Sequence, residues 1–399
     1  MAKDINPPRG MRDFLPLEKA KRESVLGVIR GVYSSFGFQE VETPALENLE
    51  RLTSGQGGDN EKLAYRVMKR GAELDSALEE MSSVDALADL GLRFDLTVPL
   101  TRFYATNRNE LPSVFKAIQM GPVWRAERPQ KGRYRQFMQC DIDIIGDGSV
   151  LAEIELLNAS LAALDALGLE KAVIRINHRE LLTSLLDGFG VKEEDRSSVM
   201  IIIDKLDKIE ATGVVTELRE RLGDAVADKA SAWLSKADTN VPEILDPIFS
   251  AVSEGRLRFD PTLVRGMGYY TGTIFEIELP GTGSAIGGGG RYDGMVGKWL
   301  GTDVPAVGIS IGFERVIELV ETQGQSAGVV LVLEDSSLEV ITKAVAFQKQ
   351  LIASGKAVRL EIKPKKLNVL LDSLVANGFS EFALVGAETA ELSFKAISN

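Results

Sequence analysis

The sequence predicts an α+β protein, and three observations predict it. Two strand-like runs, 114–127 and 136–146, flank a polar loop in a hairpin arrangement. A charged stretch at about 178–258 has helical character and few strand signals, and reads as an inserted helical module. From about 328 the grammar changes to a small βαβαβ unit. At 399 residues, with 44% hydrophobic and 26% charged side chains, the chain has ample material for a core and length for more than one domain.

Taken in order, Val25, Val28, Ile29, Val32, Tyr33 and Phe36 repeat at helical spacing over 17–36, and Gly37 is placed to end that helix. A short strand follows at Phe38–Thr43, closed by Pro44. Residues 54–90 are polar and irregular and carry no clear pattern. In the second strand of the hairpin, Gln139, Asp141 and Asp143 share one parity, while Cys140, Ile142 and Ile144 share the other. In the first, Arg125 and Glu127 share a parity. Strand side chains alternate, so each strand has a polar and an apolar face. A helix is expected over 151–167 before Gly168, then strands at Ala172–Ile176, Gly272–Leu279 and Ala306–Ile311, with Gly287–Gly290 as a flexible connection and a helix at Phe313–Val320. A linker at Gln323–Gly328 leads to strand Val329–Leu333, helix Leu338–Ser354, strand Ala357–Ile362, helix Leu367–Asn377 and strand Phe382–Val385. The expected domains are 1–326 and 327–399.

Scarcity narrows the chemistry. The only cysteine is Cys140 and the only histidine is His178. Disulfides within the chain, CxxC redox or zinc pairs and HExxH metal sites are excluded. A nucleophilic triad could use only His178, which reads better as structural than catalytic. No metal-ligand cluster is visible. The start of the chain is charged and broken by prolines, unlike a signal peptide, and no run reaches the ~18 apolar residues of a membrane helix. A soluble, reducing, cytoplasmic protein is expected. The net charge of −12 argues against indiscriminate nucleic-acid binding. Residues 327–399 are neutral overall, so the rest carries all of it.

Five segments could carry function. The loop Arg128–Arg135 holds Arg128, Lys131, Arg133 and Arg135 without an acid, and Arg125 precedes it. Crowded guanidinium groups suit phosphate, since the planar fork donates two parallel hydrogen bonds; the same loop also fits a solvated hairpin tip. The Gln139, Asp141, Asp143 face suits a cationic ligand if it lines a pocket, and plain solvent if it does not. Arg265 lies among glycines and tyrosines, which allows close backbone approach or a simple turn. Gly287–Gly290 is neither a P-loop nor a dinucleotide fingerprint, because the lysine and strand–helix context are missing. Lys363, Lys365 and Lys366 cluster in the last segment, as solvated charges or a nucleic-acid contact.

Together these segments resemble class II aminoacyl-tRNA synthetases, and specifically the histidyl-tRNA synthetase family. The likeness runs through Pro8-Arg-Gly-Met-Arg-Asp-Phe14, the helix–strand–Pro44 unit (motif 1), Leu92-Arg-Phe-Asp-Leu-Thr-Val-Pro99 and Trp124–Phe137 (motif 2). It continues through Leu263-Val-Arg-Gly-Met-Gly-Tyr-Tyr270, Gly287-Gly-Gly-Gly-Arg-Tyr-Asp293 and Gly308-Ile-Ser-Ile-Gly-Phe-Glu-Arg315 (motif 3). The resemblance implies an antiparallel class II sheet flanked by helices, an anticodon-binding-like α/β domain, and a homodimer that joins L-histidine to tRNA(His) through a histidyl-adenylate made from ATP with Mg²⁺. It also implies roles: Arg125 for the α-phosphate, Glu127 for the adenine amino group, Phe137 and Arg315 on either side of the adenine, and Arg133 for the outer phosphates. Asp95, Thr97 and Gln139 would take the ammonium, and Asp143, Tyr270 and Tyr292 the imidazole. Arg265 would sit between carboxylate and α-phosphate. One position departs: the family usually has an acidic residue where Gly268 stands. A catalytically inactive relative serving as a regulatory subunit of histidine biosynthesis is the alternative, and it should have lost its ATP-binding residues.

Overall fold

In a computed structural model the described residues are 5–54, 58–80, 84–129, 132–236, 239–252, 255–265, 270–321, 328–375 and 377–397. Lys131, Gly268 and nearly all of the expected linker lie outside them. The chain forms two compact units. One comprises the residues up to Arg12 together with Leu26–Val320, and the other Asp13–Val25 together with the chain after Val320.

The strands of the first unit are β1 (Gln39–Glu40), β2 (Leu46–Asn48), β3 (Tyr65–Met68), β4 (Ala88–Leu92), β5 (Phe115–Trp124) and β6 (Gln136–Ile145). They continue with β7 (Val173–His178), β8 (Leu257–Phe259), β9 (Thr273–Glu278), β10 (Gly287–Arg291) and β11 (Ala306–Ile311). Eight of these form one sheet in the order β1-β5-β6-β11-β10-β9-β7-β8. Its interior pairings are antiparallel, while β1 with β5 and β7 with β8 are parallel. A second sheet, β2-β4-β3, occupies much of the stretch that gave no pattern.

The expected strand at Phe38–Thr43 shortens to β1, because only Gln39 and Glu40 pair with β5 before Pro44 turns the chain. The first strand of the hairpin ends at Trp124 rather than 127, so Arg125 and Glu127 sit in the turn beyond it and their strand parity does not apply. The larger revision is Gly287–Gly290. It is not a connection but a strand in the middle of the sheet, between β9 and β11. The space there admits no side chain: a Cβ on Gly289 would lie 2.0 Å from the Gly308 carbonyl oxygen, and one on Gly288 would lie 1.8 Å from Arg265 Nη1. Glycine in a strand marks such close approach.

The apolar parity of β6 (Cys140, Ile142, Ile144) is fully buried. Helix Leu151–Ala166, with Leu156, Leu157, Leu161 and Leu164 buried, packs on β6 and β11. The helical insertion is present as Arg179–Phe189, Glu193–Ile203, Leu206–Leu222 and Asp224–Leu234, with Leu186, Val199, Val214 and Leu218 at its core. His178 begins the first of these helices, its Nδ1 accepting the Glu180 N–H at 3.2 Å. That is a capping role.

In the second unit β12 (Gly328–Leu333) is flanked by β13 (Val358–Ile362) and β14 (Phe379–Val385), both parallel to it. Helices Leu338–Ala353 and Leu367–Val375 make the crossovers. A two-residue strand, β15 (Lys395–Ala396), adds antiparallel to β14. Every residue of β12 is buried, as a central parallel strand requires. Lys363, Lys365 and Lys366 are exposed. Among the described residues no helix is long and apolar enough to cross a membrane.

Candidate active site

One face of the large sheet, where β6, β11 and β10 lie side by side, floors a cavity of about 490 Å³. All twelve residues given roles by the resemblance line it: Asp95, Thr97, Arg125, Glu127, Arg133, Phe137, Gln139, Asp143, Arg265, Tyr270, Tyr292 and Arg315, joined by Asp141, whereas Arg128 and Arg135 of the basic loop do not. The polar parity of β6 therefore lines this pocket.

The carboxylates gather in one group. Asp95 precedes helix Thr97–Asn107 and accepts the Val98 N–H at 3.1 Å. Burial pushes its carboxyl up to about 6, against the Val98 N–H and the charge of Arg125, which favour the anion. Asp141 is pushed up to about 7, mainly by burial and further by Asp95. Asp143 is raised well above the ordinary carboxylate range, again by burial first and then by Asp141. Three buried carboxyls cannot all ionise cheaply without a cation among them. Asp143 Oδ1 accepts the Tyr292 hydroxyl at 2.6 Å, while its Oδ2 is buried with no hydrogen-bond partner. The Oε1 of Gln139 is likewise buried without a donor. Two orphaned acceptors on a cavity wall call for a ligand rich in N–H donors.

The guanidinium groups form the second cluster. Burial, and then the charges of Arg133 and Arg265, lower the pKa of Arg315, against the opposing charge of Glu276. Arg315 is held by the Ala285 carbonyl. Arg125 donates Nε to the Phe94 carbonyl at 2.9 Å and lies 5.0 Å from the Phe137 ring centroid. Glu127 and Arg133 are 3.8 Å apart. The family's acidic neighbour of Arg265 is missing at position 268, yet Arg265 is supported: its Nε pairs with Glu276 Oε2 at 2.8 Å. Glu276 also accepts from Arg175 at 2.8 Å, and Arg175 reaches Asp260 at 2.5 Å.

Sequence reasoning did not single out Glu276, nor Glu314, which is buried beside the cavity, pairs with Arg12 at 2.5 Å and accepts the Met138 N–H at 3.0 Å. Glu314 directly precedes Arg315 in the helix Phe313–Leu319 and Glu276 lies on β9, but the pairing partners of both are distant in sequence. His178 does not line the cavity.

The arrangement presents an acidic pocket wall and a basic one around a single space. That suits a zwitterionic ligand rich in N–H donors beside a phosphate.

Comparison with known proteins agrees. The family model for histidyl-tRNA synthetase matches residues 10–316. A histidine--tRNA ligase of Leifsonia xyli is 52% identical over 98% of this chain and 97% of its own length. The crystal structure of histidyl-tRNA synthetase from Nostoc superposes with a TM-score of 0.78, at 29% identity, covering 98% of this chain and 97% of that one. A Bacillus halodurans structure described as an ATP phosphoribosyltransferase regulatory subunit/histidyl-tRNA synthetase gives 0.73 at 20% identity over 97% of this chain and 99% of that one, a likeness of fold alone. On a family match that spans most of the residues and a relative sharing half of them along its whole length, the chain belongs to the histidyl-tRNA synthetase family.

Proposed function

We propose that the protein is a histidine--tRNA ligase that activates L-histidine with ATP and transfers it to tRNA(His). The observation that carries the reading is the convergence of twelve motif residues, from segments between 95 and 315, on one cavity with an acidic and a basic wall. The regulatory-subunit alternative expects eroded ATP contacts, whereas Arg125, Glu127, Arg133 and Arg315 are all present and line the cavity.

The histidine carboxylate attacks the α-phosphorus of ATP, the bond to the bridging oxygen breaks, and pyrophosphate leaves. No protein nucleophile is required, which fits a cavity without histidine or cysteine. Alignment and neutralisation of charge on the phosphoryl oxygens lower the barrier. Arg125 and Arg265 serve the α-phosphate, with Arg265 reaching the carboxylate as well. Arg133 takes the outer phosphates, Phe137 and Arg315 sandwich the adenine, and Glu127 accepts from its amino group. Asp95, Thr97 and Gln139 hold the ammonium; Asp143, Tyr270 and Tyr292 hold the imidazole. An amino acid without N–H groups there would leave Asp143 Oδ2 buried and unpaired, and that penalty is the basis of selection. Among the described residues no group of three or more His, Cys, Asp or Glu is placed to hold a metal. Mg²⁺ bound to the ATP phosphates would supply charge neutralisation, with Glu314 as a carboxylate on the cavity wall. The segment 327–399, with its three exposed lysines, is the anticodon-binding part, and the working form is a cytoplasmic homodimer.

Histidine-dependent ATP–pyrophosphate exchange, run against a panel of amino acids, tests the proposal. Exchange with histidine alone is expected. No exchange with any amino acid would favour the regulatory alternative, and exchange with another amino acid would overturn the substrate.

A further inference from the structure

We infer that Asp141 is a positioning residue for histidine selection: it fixes the side-chain amide of Gln139 so that the carbonyl oxygen, and not the NH₂ group, faces the amino-acid ammonium. The inference rests on the proposed histidine site and deepens it.

An amide side chain carries a donor end and an acceptor end of nearly identical shape. Only the acceptor end can meet an ammonium. Gln139 standing alone could present either. In this structure the choice is made by Asp141, two residues along β6 on the same face. The Gln139 Nε2 donates to both carboxylate oxygens, at 3.0 Å to Oδ2 and 3.3 Å to Oδ1. That leaves Gln139 Oε1 buried, without a donor, on the wall of the cavity. In its ionised form, which prevails above about pH 7, the carboxylate accepts only and admits no other orientation. Asp141 is itself immobile: 4% exposed, opposite Gln119 on β5 and Ser310 on β11, with a hydrogen bond from Ser310. Its neighbours Cys140 and Ile142 anchor the same strand in the core. The negative charge also reaches the ammonium through the polarised amide, which a buried setting strengthens.

The test combines two Asp141 variants, a Gln139 variant and their double with two histidine analogues, read by ATP–pyrophosphate exchange on the full chain. Asp141→Leu removes the acceptor; Asp141→Asn keeps one acceptor oxygen and drops the charge. Histidinol retains the ammonium and lacks the carboxylate. 3-(Imidazol-4-yl)propanoate retains the carboxylate and lacks the ammonium. Asp141→Leu should raise the histidine KM by about tenfold or more, the size of one hydrogen bond to a charged group, with the ATP KM within twofold. Asp141→Asn should fall between it and the parent. Inhibition by histidinol should weaken in parallel, while inhibition by the propanoate stays unchanged. Asp141→Leu combined with Gln139→Leu should be no worse than Gln139→Leu alone. If Asp141→Leu does not fold, Asp141→Asn gives the same analogue comparison. Equal losses for both analogues, or additive effects with Gln139→Leu, would overturn the inference. Absence of histidine-dependent exchange in the parent protein would instead overturn the proposed activity.

Discussion

Replacing Asp141 by asparagine is expected to stabilise the ligand-free protein even as it weakens the hold on histidine. The carboxyl is raised from 3.8 to about 7 by its burial. The folded form therefore binds this proton more tightly than the unfolded chain does. Stability contributed by the protonated form is complete below about pH 4 and is lost as pH rises through about 7. At about 1.4 kcal/mol per pH unit, the loss by pH 8 is about 4 kcal/mol. Asparagine has nearly the same shape, accepts from Gln139, and does not titrate, so the variant escapes that loss. Unfolding entropy of ~2.1 cal/mol/K per residue gives ~0.6 kcal/mol/K for a unit of about 300 residues. The variant should then melt about 6 °C above the parent at pH 8 and only about 2 °C above it at pH 4.5. Differential scanning calorimetry without ligand, at both pH values, measures this. A variant that melts below the parent at pH 8, or an offset that does not change with pH, would refute the account of Asp141 as a buried, strained acid.

Further outcomes follow from the same geometry. Arg265→Ala should lower adenylation by about 100-fold, the cost of removing a donor aimed at transition-state charge, and Glu276→Ala should lower it by about tenfold through loss of the 2.8 Å pair that holds that guanidinium; single-turnover adenylate formation measures both. Asp143→Asn replaces an orphaned acceptor by a donor facing the imidazole, so the histidine Kd should rise by about 100-fold while ATP binding is retained, as read by calorimetric titration. His178→Ala removes only a helix cap, costing about 1 kcal/mol in a denaturant melt and leaving the exchange rate unchanged.

The sequence made the site more legible than the scaffold beneath it. Residues such as Arg125, Asp143 and Arg265 sit in short ordered motifs, and all three line the one cavity. Helices with regular apolar spacing, such as Pro16–Ser35, were equally plain, and the βαβαβ order of the last segment matched strand for strand. Three things were not. Parity could show that Gln139, Asp141 and Asp143 share a face, but alternation looks the same whether that face meets water or a pocket. The glycine strand β10 has no side chains from which a period could be read, so its place in the sheet depends wholly on what β9 and β11 leave room for. Pairings such as Arg265 with Glu276, or the buried bidentate pair of Arg291 and Glu153 at 2.6 Å, join residues whose proximity only the folded sheet creates.

The bare strand β10 has a bearing on any attempt to redesign this pocket. Where Gly287, Gly288 and Gly289 contribute to the lining, the boundary is peptide backbone with nothing left to trim. Substitution there can only narrow the chamber, never enlarge it. Making room for a bulkier ligand would have to draw on side chains that can be trimmed, the rings of Tyr270 and Tyr292 among them, while the β10 part of the floor stays a fixed gauge.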